Sequence, residues 1–243
     1  GSIPRSIDDP ITTNAVNISG FLNMLVAAKN AKIDRFIFAA SSSAYGDNET
    51  IPKVEDTIGK PLSPYALTKY VNELYAHVFS ITYGLKYIGI RYFNVFGRRQ
   101  EPNSAYAAVI TLFIKKILKH EQRIINGDGS NSRDFTYIDN IIHINMLALE
   151  TLSPKAFNQI YNGAGGENTS VLELEQLITK KLSAYDNCIG CIAPIFGPNR
   201  IGDIKHSKAS ISKARELLGY TPVCTFEDGL KKTIYWYLTN LKE

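Results

Sequence analysis

Several things this 243-residue chain lacks narrow its class before any motif is read. Cysteine is scarce: three residues are too few for a disulfide framework. Cys188 and Cys191 form a C-x-x-C, but no second pair follows and His206 has no histidine nearby, so a four-ligand zinc site is not expected. Ordinary thiols of a reducing compartment remain, which points to the cytoplasm. No apolar run approaches the ~20 residues that span a bilayer, so no membrane partner is expected. No signal peptide is visible. Charge is nearly balanced, with 27 Lys and Arg against 23 Asp and Glu, and the basic residues are scattered rather than gathered into a nucleic-acid footprint. The most telling gap is a glycine-rich strand–turn–helix of the kind that seats a dinucleotide pyrophosphate. The nearest cluster, Gly163-Ala164-Gly165-Gly166, follows a strand, but no phosphate-binding helix with a later acidic ribose ligand fits it. It reads as the loop after a last strand.

What is present alternates between two periods. Val16, Phe21, Leu22, Leu25 and Val26 fall near one face of a helix over 11–30, with Asp9-Pro10 at its start. Arg35 to Ala40 is a short apolar strand that opens into Ser41-Ser42-Ser43. A Pro- and Gly-punctuated loop over 47–63 leads to a helix from Pro64 to about Tyr83, stopped by Gly84. Further strands are expected at 85–93, 124–125 and 159–162, and further helices at 106–119, 138–151, 170–184, 208–219 and 226–241. Strands alternating with helices predict an α/β fold, a Rossmann-like parallel sheet of which only the last strands are present. A smaller C-terminal α+β lobe follows. Residues 1–97 and 130–165 are assigned to the sheet domain, and 98–129 and 166–243 to a substrate lobe.

Tyr65 and Lys69 lie four apart on a helix and so share a face. A phenol titrates near ~10, too high for a base at neutral pH. An ammonium about 6 Å away, at an effective dielectric of ~20, favours the phenolate by ~3 kcal/mol. Such a phenolate can take a proton from a sugar hydroxyl while hydride leaves the carbon. With 14 tyrosines, one Tyr-x-x-x-Lys pair arises by chance, so the pair alone carries little. Its context carries more: a buried strand ending in three serines, a loop, then Ser63-Pro64-Tyr65 at a helix start.

These segments, with Arg91-Tyr92-Phe93-Asn94, Asn126-Gly127-Asp128-Gly129, Ser132-Arg133-Asp134-Phe135-Thr136-Tyr137 and Arg200-Ile201-Gly202-Asp203, resemble the extended short-chain dehydrogenase/reductase family. Within it the chain is most similar to the nucleotide-sugar 4-epimerases that interconvert UDP-GlcNAc and UDP-GalNAc. The resemblance implies NAD as cofactor, a UDP-sugar as substrate, a homodimer built on helices 11–30 and 64–83, and a place in surface-polysaccharide synthesis. It makes Ser41, Tyr65 and Lys69 catalytic, with Lys69 also holding the nicotinamide ribose. Phe93 and Val95 become nicotinamide contacts, and Ser42 and Ser43 line the sugar pocket. Asn94 becomes a diphosphate ligand. Arg133, Arg200 and Asp203 clamp the diphosphate and ribose. Ala107, Ala108, Ile124 and Asn126 flank the nucleotide, and Ser2 and Arg5 belong to a substrate-side loop. A planar guanidinium suits bidentate phosphate binding, although Arg133 with Asp134 or Asp139, and Arg200 with Asp203, also fit structural ion pairs.

Within the family, dehydratases and decarboxylating relatives carry carboxylates where this chain has Ser41-Ser42-Ser43. That difference favours oxidation and re-reduction at C4 over elimination. Ser207, seven after Arg200, falls where the family lines the pocket for the 2-substituent, and a small residue there leaves room for an N-acetyl group; an ordinary loop serine is the plain alternative. The family's first hundred or so residues, with the glycine fingerprint, are expected to precede Gly1. Two other readings stay open: a fragment inactive alone that keeps some UDP binding, and a related nucleotide-sugar reductase.

Overall fold

A computed structural model describes residues 2–101, 108–198 and 205–240. At its centre is a three-stranded parallel sheet, β1 (Phe36–Ser41), β2 (Tyr87–Tyr92) and β7 (Gln159–Gly163), in the order β1-β2-β7. Helices cover both faces, as parallel strands require. On one face lie α3 (Gly20–Asn30) and α4 (Pro64–Tyr83), with Leu25, Ala28 and Phe79 packed beside Phe36 and Leu85, and Ala76 against Phe38 and Tyr87. On the other lie α6 (Ile138–Glu150) and α8 (Ser212–Leu218), with Ile144, Ala214 and Leu218 against Ile88, Ile90 and Tyr161. The period-two alternation of β2 thus sends Tyr87 to one layer and Ile88 and Ile90 to the other.

A second core sits beside the sheet. It joins α5 (Val109–Leu118), α7 (Val171–Leu182) and α9 (Phe226–Asn240) through Phe113, Ile117, Ile178, Leu230 and Ile234. Phe135 and Tyr137 also enter this core, and Gly229 is what lets α9 approach so closely: a Cβ there would lie 2.6 Å from the Tyr137 ring. Four short pairings brace the lobe. These are β3 (Val95–Phe96) with β6 (Thr136–Tyr137), β4 (Ile124–Asn126) with β9 (Ile195–Gly197), and β5 (Ser132–Arg133) with both β8 (Thr169–Ser170) and β10 (His206–Ser207).

The first helical region departs from the expected single amphipathic helix. A short α1 (Ile3–Asp8) precedes it, capped by the Ser2 hydroxyl. From Pro10 to Asn30 the chain is helical, but α2 (Pro10–Asn14) and α3 are joined by a π-helical turn over Ala15–Ser19. The extra residue of a π turn rotates the helix beyond it by about 100°. Leu25 is buried while Val16, inside the turn, and Val26, next to Leu25 on α3, point outward, so the five expected residues do not share one buried face. This helix comes nearer a bilayer span than expected, since by length and composition Pro10–Asn30 would suffice. In the fold it packs on α4 instead, where the Asn17 amide donates to Thr68 Oγ1 at 2.9 Å.

The helix expected at 208–219 begins only at Ser212, because its first residues are held extended. Lys53 N donates to Lys208 O at 2.8 Å, and Ser210 N to Lys53 O at 2.9 Å. This places α8 on the central sheet rather than in the second core.

Candidate active site

The carboxyl ends of β1, β2 and β7 come together at one edge of the sheet, where open α/β sheets bind their ligands. After β1 the chain turns through Ser42–Tyr45 in a 3-10 coil, with the Ser41 hydroxyl accepting from Ser43 N at 3.2 Å. That bond fixes the serine side chain and leaves its O–H to donate. Gly46 closes the turn at φ +56, and a Cβ there would sit 1.9 Å from the Lys60 carbonyl oxygen, so only glycine fits.

Behind the turn lies a buried polar network that the motif alone does not reveal. Tyr45 donates to Asn162 Oδ1 at 2.6 Å, and the Arg91 guanidinium lies 4.6 Å over the Tyr45 ring. Arg91 grips Glu73 with two bonds, at 2.9 and 2.7 Å, and donates to Glu55 O at 2.9 Å. The Glu55 carboxylate, raised above its ordinary pKa by burial, accepts from Asn162 N at 2.9 Å. The serine turn is thereby tied to α4, to β7 and to the loop over 47–63.

Helix α4 brings Tyr65 and Lys69 to this edge. Lys69 Nζ donates to Ala39 O on β1 at 2.8 Å, and burial lowers its pKa. Beside them is a cavity of about 390 Å³ between the sheet edge and the second core. Of the expected residues, Ser42, Ser43, Asn94, Val95, Ala108, Ile124, Asn126, Arg133 and Ser207 line it. Ser41, Tyr65 and Lys69 are not among its lining residues, although Ser42, Ser63 and Ala66, next to Ser41 and Tyr65 in the chain, form part of the wall. Phe93 is fully buried against Tyr45. Ser2 and Arg5 stay on α1, and Ile3 between them reaches the cavity. Ala107, Arg200 and Asp203 lie outside the described residues. Asn131, Leu62 and Val171 also line the cavity and were not expected. Asn131 had a signal, since it lies in the polar stretch just before Ser132-Arg133; Leu62 and Val171 had none. Among the described lining residues there is no carboxylate.

Arg133 and Ser207 are neighbours across the β5–β10 pairing. Arg133 Nη1 donates to Ser132 O at 2.8 Å, and Asp134 N to Ser207 O at 2.8 Å. Asp134 itself is fully buried, and its carboxylate receives Gly165 N at 2.9 Å, Gly166 N at 2.9 Å, Ala209 N at 3.3 Å and Thr136 Oγ1 at 3.2 Å. The glycine cluster after β7 therefore gives its backbone N–H groups to a carboxylate of the protein's own. Burial raises the Asp134 pKa to about 6 against those hydrogen bonds. A carboxyl raised in the folded state favours folding below its unfolded value, and that contribution is lost as pH climbs through about 6. Asp134→Asn turns an amide NH₂ toward backbone donors and is expected to cost about 2–4 kcal/mol at pH 7. The gap between wild type and variant in urea unfolding is expected to widen by about 2 kcal/mol from pH 7 to pH 4; a gap that stays constant would contradict the burial argument.

A Ser/Tyr/Lys set at the carboxyl edge of a parallel sheet, with an arginine-bearing cavity beside it, defines an enzyme of the short-chain dehydrogenase/reductase class. The residues fit a nicotinamide cofactor on its ribose side: Lys69 has one carbonyl acceptor among the described residues, leaving N–H groups for ribose hydroxyls. Comparison narrows the class. Residues 1–163 match the NAD dependent epimerase/dehydratase family, and the chain belongs to that family. It is 34% identical to a putative UDP-glucose 4-epimerase of Methanocaldococcus jannaschii, over 98% of this chain and 74% of that protein. Among solved structures it is 39% identical to the UDP-N-acetylglucosamine 4-epimerase of Methanobrevibacter ruminantium M1 in complex with UDP-N-acetylmuramic acid, with a TM-score of 0.91 over 99% of this chain and 74% of the other. Thermotoga maritima UDP-glucose 4-epimerase with UDP-glucose matches at 34% identity and a TM-score of 0.92, over 100% and 75%.

Proposed function

We propose that the protein inverts C4 of a UDP-N-acetylhexosamine, interconverting UDP-GlcNAc and UDP-GalNAc with NAD. NAD, when bound, supplies the acceptor and then the donor of hydride. Tyr65 takes the proton of the C4 hydroxyl and later returns it. Ser41 donates a hydrogen bond to the same oxygen, and Lys69 favours the phenolate and holds the ribose. The 4-keto sugar then turns in the cavity and is reduced from its other face. Ile3, Leu62 and Val171 give that cavity apolar walls with few fixed donors to resist the turn. Arg133 grips the diphosphate with Asn94, and Val95 borders the nicotinamide side.

The observation that carries the choice of reaction is the cavity wall of Ser42, Ser43 and Ser207 with no carboxylate among its described residues. Elimination needs an acid and a base there. Ser207, 7% exposed beside Arg133, supports the choice of substrate because it leaves room for an N-acetyl group. Ser207→Tyr is expected to shift the ratio of kcat/KM for UDP-GlcNAc over UDP-glucose by about tenfold or more toward UDP-glucose. An unchanged ratio would remove Ser207 from the 2-substituent pocket.

The exposed apolar residues of α2 to α4 support a homodimer. Ile11, Met24, Leu74, Val78 and Ile81 face outward, Ile11 at 81% exposure, and two copies of this face make a four-helix bundle. Light scattering should give twice the chain mass. Free cysteines, two of them exposed, fit a reducing cytoplasm. The family resemblance supports a role for the product in surface-polysaccharide synthesis.

A further inference from the structure

Tyr65 occupies the second position of α4, where a helix leaves backbone N–H groups without partners of its own. Every N–H of that first turn is accounted for. Pro64 has none, Ala66 N donates to Ser63 Oγ at 3.1 Å, and Leu67 N to Ser63 O at 3.0 Å. Tyr65 N goes to a different segment, donating to Ser6 Oγ on α1 at 3.1 Å. Ser6 is fully buried, and its own O–H donates to Ile3 O at 2.7 Å, so the hydroxyl is locked in direction.

The other end of the same residue is held as firmly. Tyr65 O accepts from Thr68 Oγ1 at 2.8 Å, and that hydroxyl accepts from Asn17 Nδ2 at 2.9 Å. Thr68 is buried, and its single O–H and one lone pair are both used. A threonine bonded back to a carbonyl within its own helix is common. The unusual partner is Asn17, which lies in the π-helical turn over Ala15–Ser19. Such turns add a residue within a helix and re-aim the side chains on it, and they recur at functional sites. Here the turn leaves Val16 exposed and sets Asn17 against Thr68.

We propose that Ser6, Asn17 and Thr68 are positioning residues for Tyr65, and that the π turn serves to aim Asn17 at this bond. The inference rests on Tyr65 being the base of the proposed reaction. The proton must leave the C4 hydroxyl oxygen as hydride leaves C4, so a displaced phenol slows the chemical step more than it weakens binding. Asn17→Ala and Thr68→Val are each expected to lower kcat about tenfold while KM for the UDP-sugar stays within about twofold. Thr68→Ser, which keeps the hydroxyl, restores kcat.

A second readout does not depend on turnover. With fluorotyrosine incorporated throughout, the Tyr65 ¹⁹F resonance is identified by its loss in Tyr65→Phe. That resonance is expected to be single in the wild type and displaced or split in Asn17→Ala and Ser6→Ala, with thermal unfolding still cooperative. Wild-type kcat and an unmoved Tyr65 resonance in Asn17→Ala and Ser6→Ala would overturn the proposal. Full turnover in Tyr65→Phe would instead overturn the catalytic reading, leaving the resonance to judge the positioning claim alone. If Thr68→Val does not fold, Asn17→Ala decides, since Asn17 is only half-buried.

Discussion

Tyr65→Phe is expected to lower kcat by about 10³-fold while leaving the melting temperature where it was. The two halves of this result have separate causes. The tyrosine is tied into the fold by its backbone, through Ser6 Oγ and Thr68 Oγ1, and phenylalanine keeps both bonds. Among the described residues its hydroxyl has no hydrogen-bond partner, so removing it strands no buried group. The same hydroxyl is the only group proposed to move the C4 proton. Turnover by stopped assay and unfolding by circular dichroism check the two halves independently. A variant that keeps wild-type kcat would assign the proton to another group, with Ser41 the next candidate.

Glu73→Ala is expected to cost about 3–5 kcal/mol of stability, the largest loss foreseen for any single substitution outside the catalytic set. Both oxygens of Glu73 bind Arg91, and the two side chains are 5% and 1% exposed. Among the described residues, removing the carboxylate leaves the buried guanidinium the Glu55 carbonyl and the face of Tyr45 as partners. The damage extends to the site, because Arg91 and Tyr45 support the turn that carries Ser41 to Ser43. Glu73→Leu combined with Arg91→Met removes both charges and fills similar volume, and is expected to regain most of the lost stability. Urea unfolding of the single and double variants measures this directly. A single variant as stable as wild type would show that the pair contributes nothing net.

The segments that carry the proposed site were more legible in the sequence than the structure that holds them. Ser41, Tyr65 and Lys69 lie within 29 positions of one another, in segments whose local signals were strong: a β run, a proline at a helix start, a glycine at its end. The parallel sheet followed from the same alternation. What supports those residues could not be read that way. Tyr45 and Asn162 are 117 residues apart, and Asp134 and Ala209 are 75 apart. Each is a polar residue whose partner is set only once the chain has folded. The π turn was hidden for another reason. Periodicity assumes 3.6 residues per turn, so one inserted residue shifts Val16 out of phase with the residues of α3 it was expected to join. The glycine cluster after β7 was correctly read as a strand-end loop, but its occupant, the Asp134 carboxylate, was not.

The most direct test is to follow the sugar itself. Purified protein is incubated with UDP-GlcNAc and NAD, and the C4 proton of the sugar is observed by NMR. Inversion is predicted: UDP-GalNAc accumulates to an equilibrium mixture, no reduced cofactor is consumed, and UDP-GalNAc as starting material reaches the same mixture. Recovery of the sugar without inversion at C4, or a product that has lost water or gained hydride at the cofactor's expense, would contradict it.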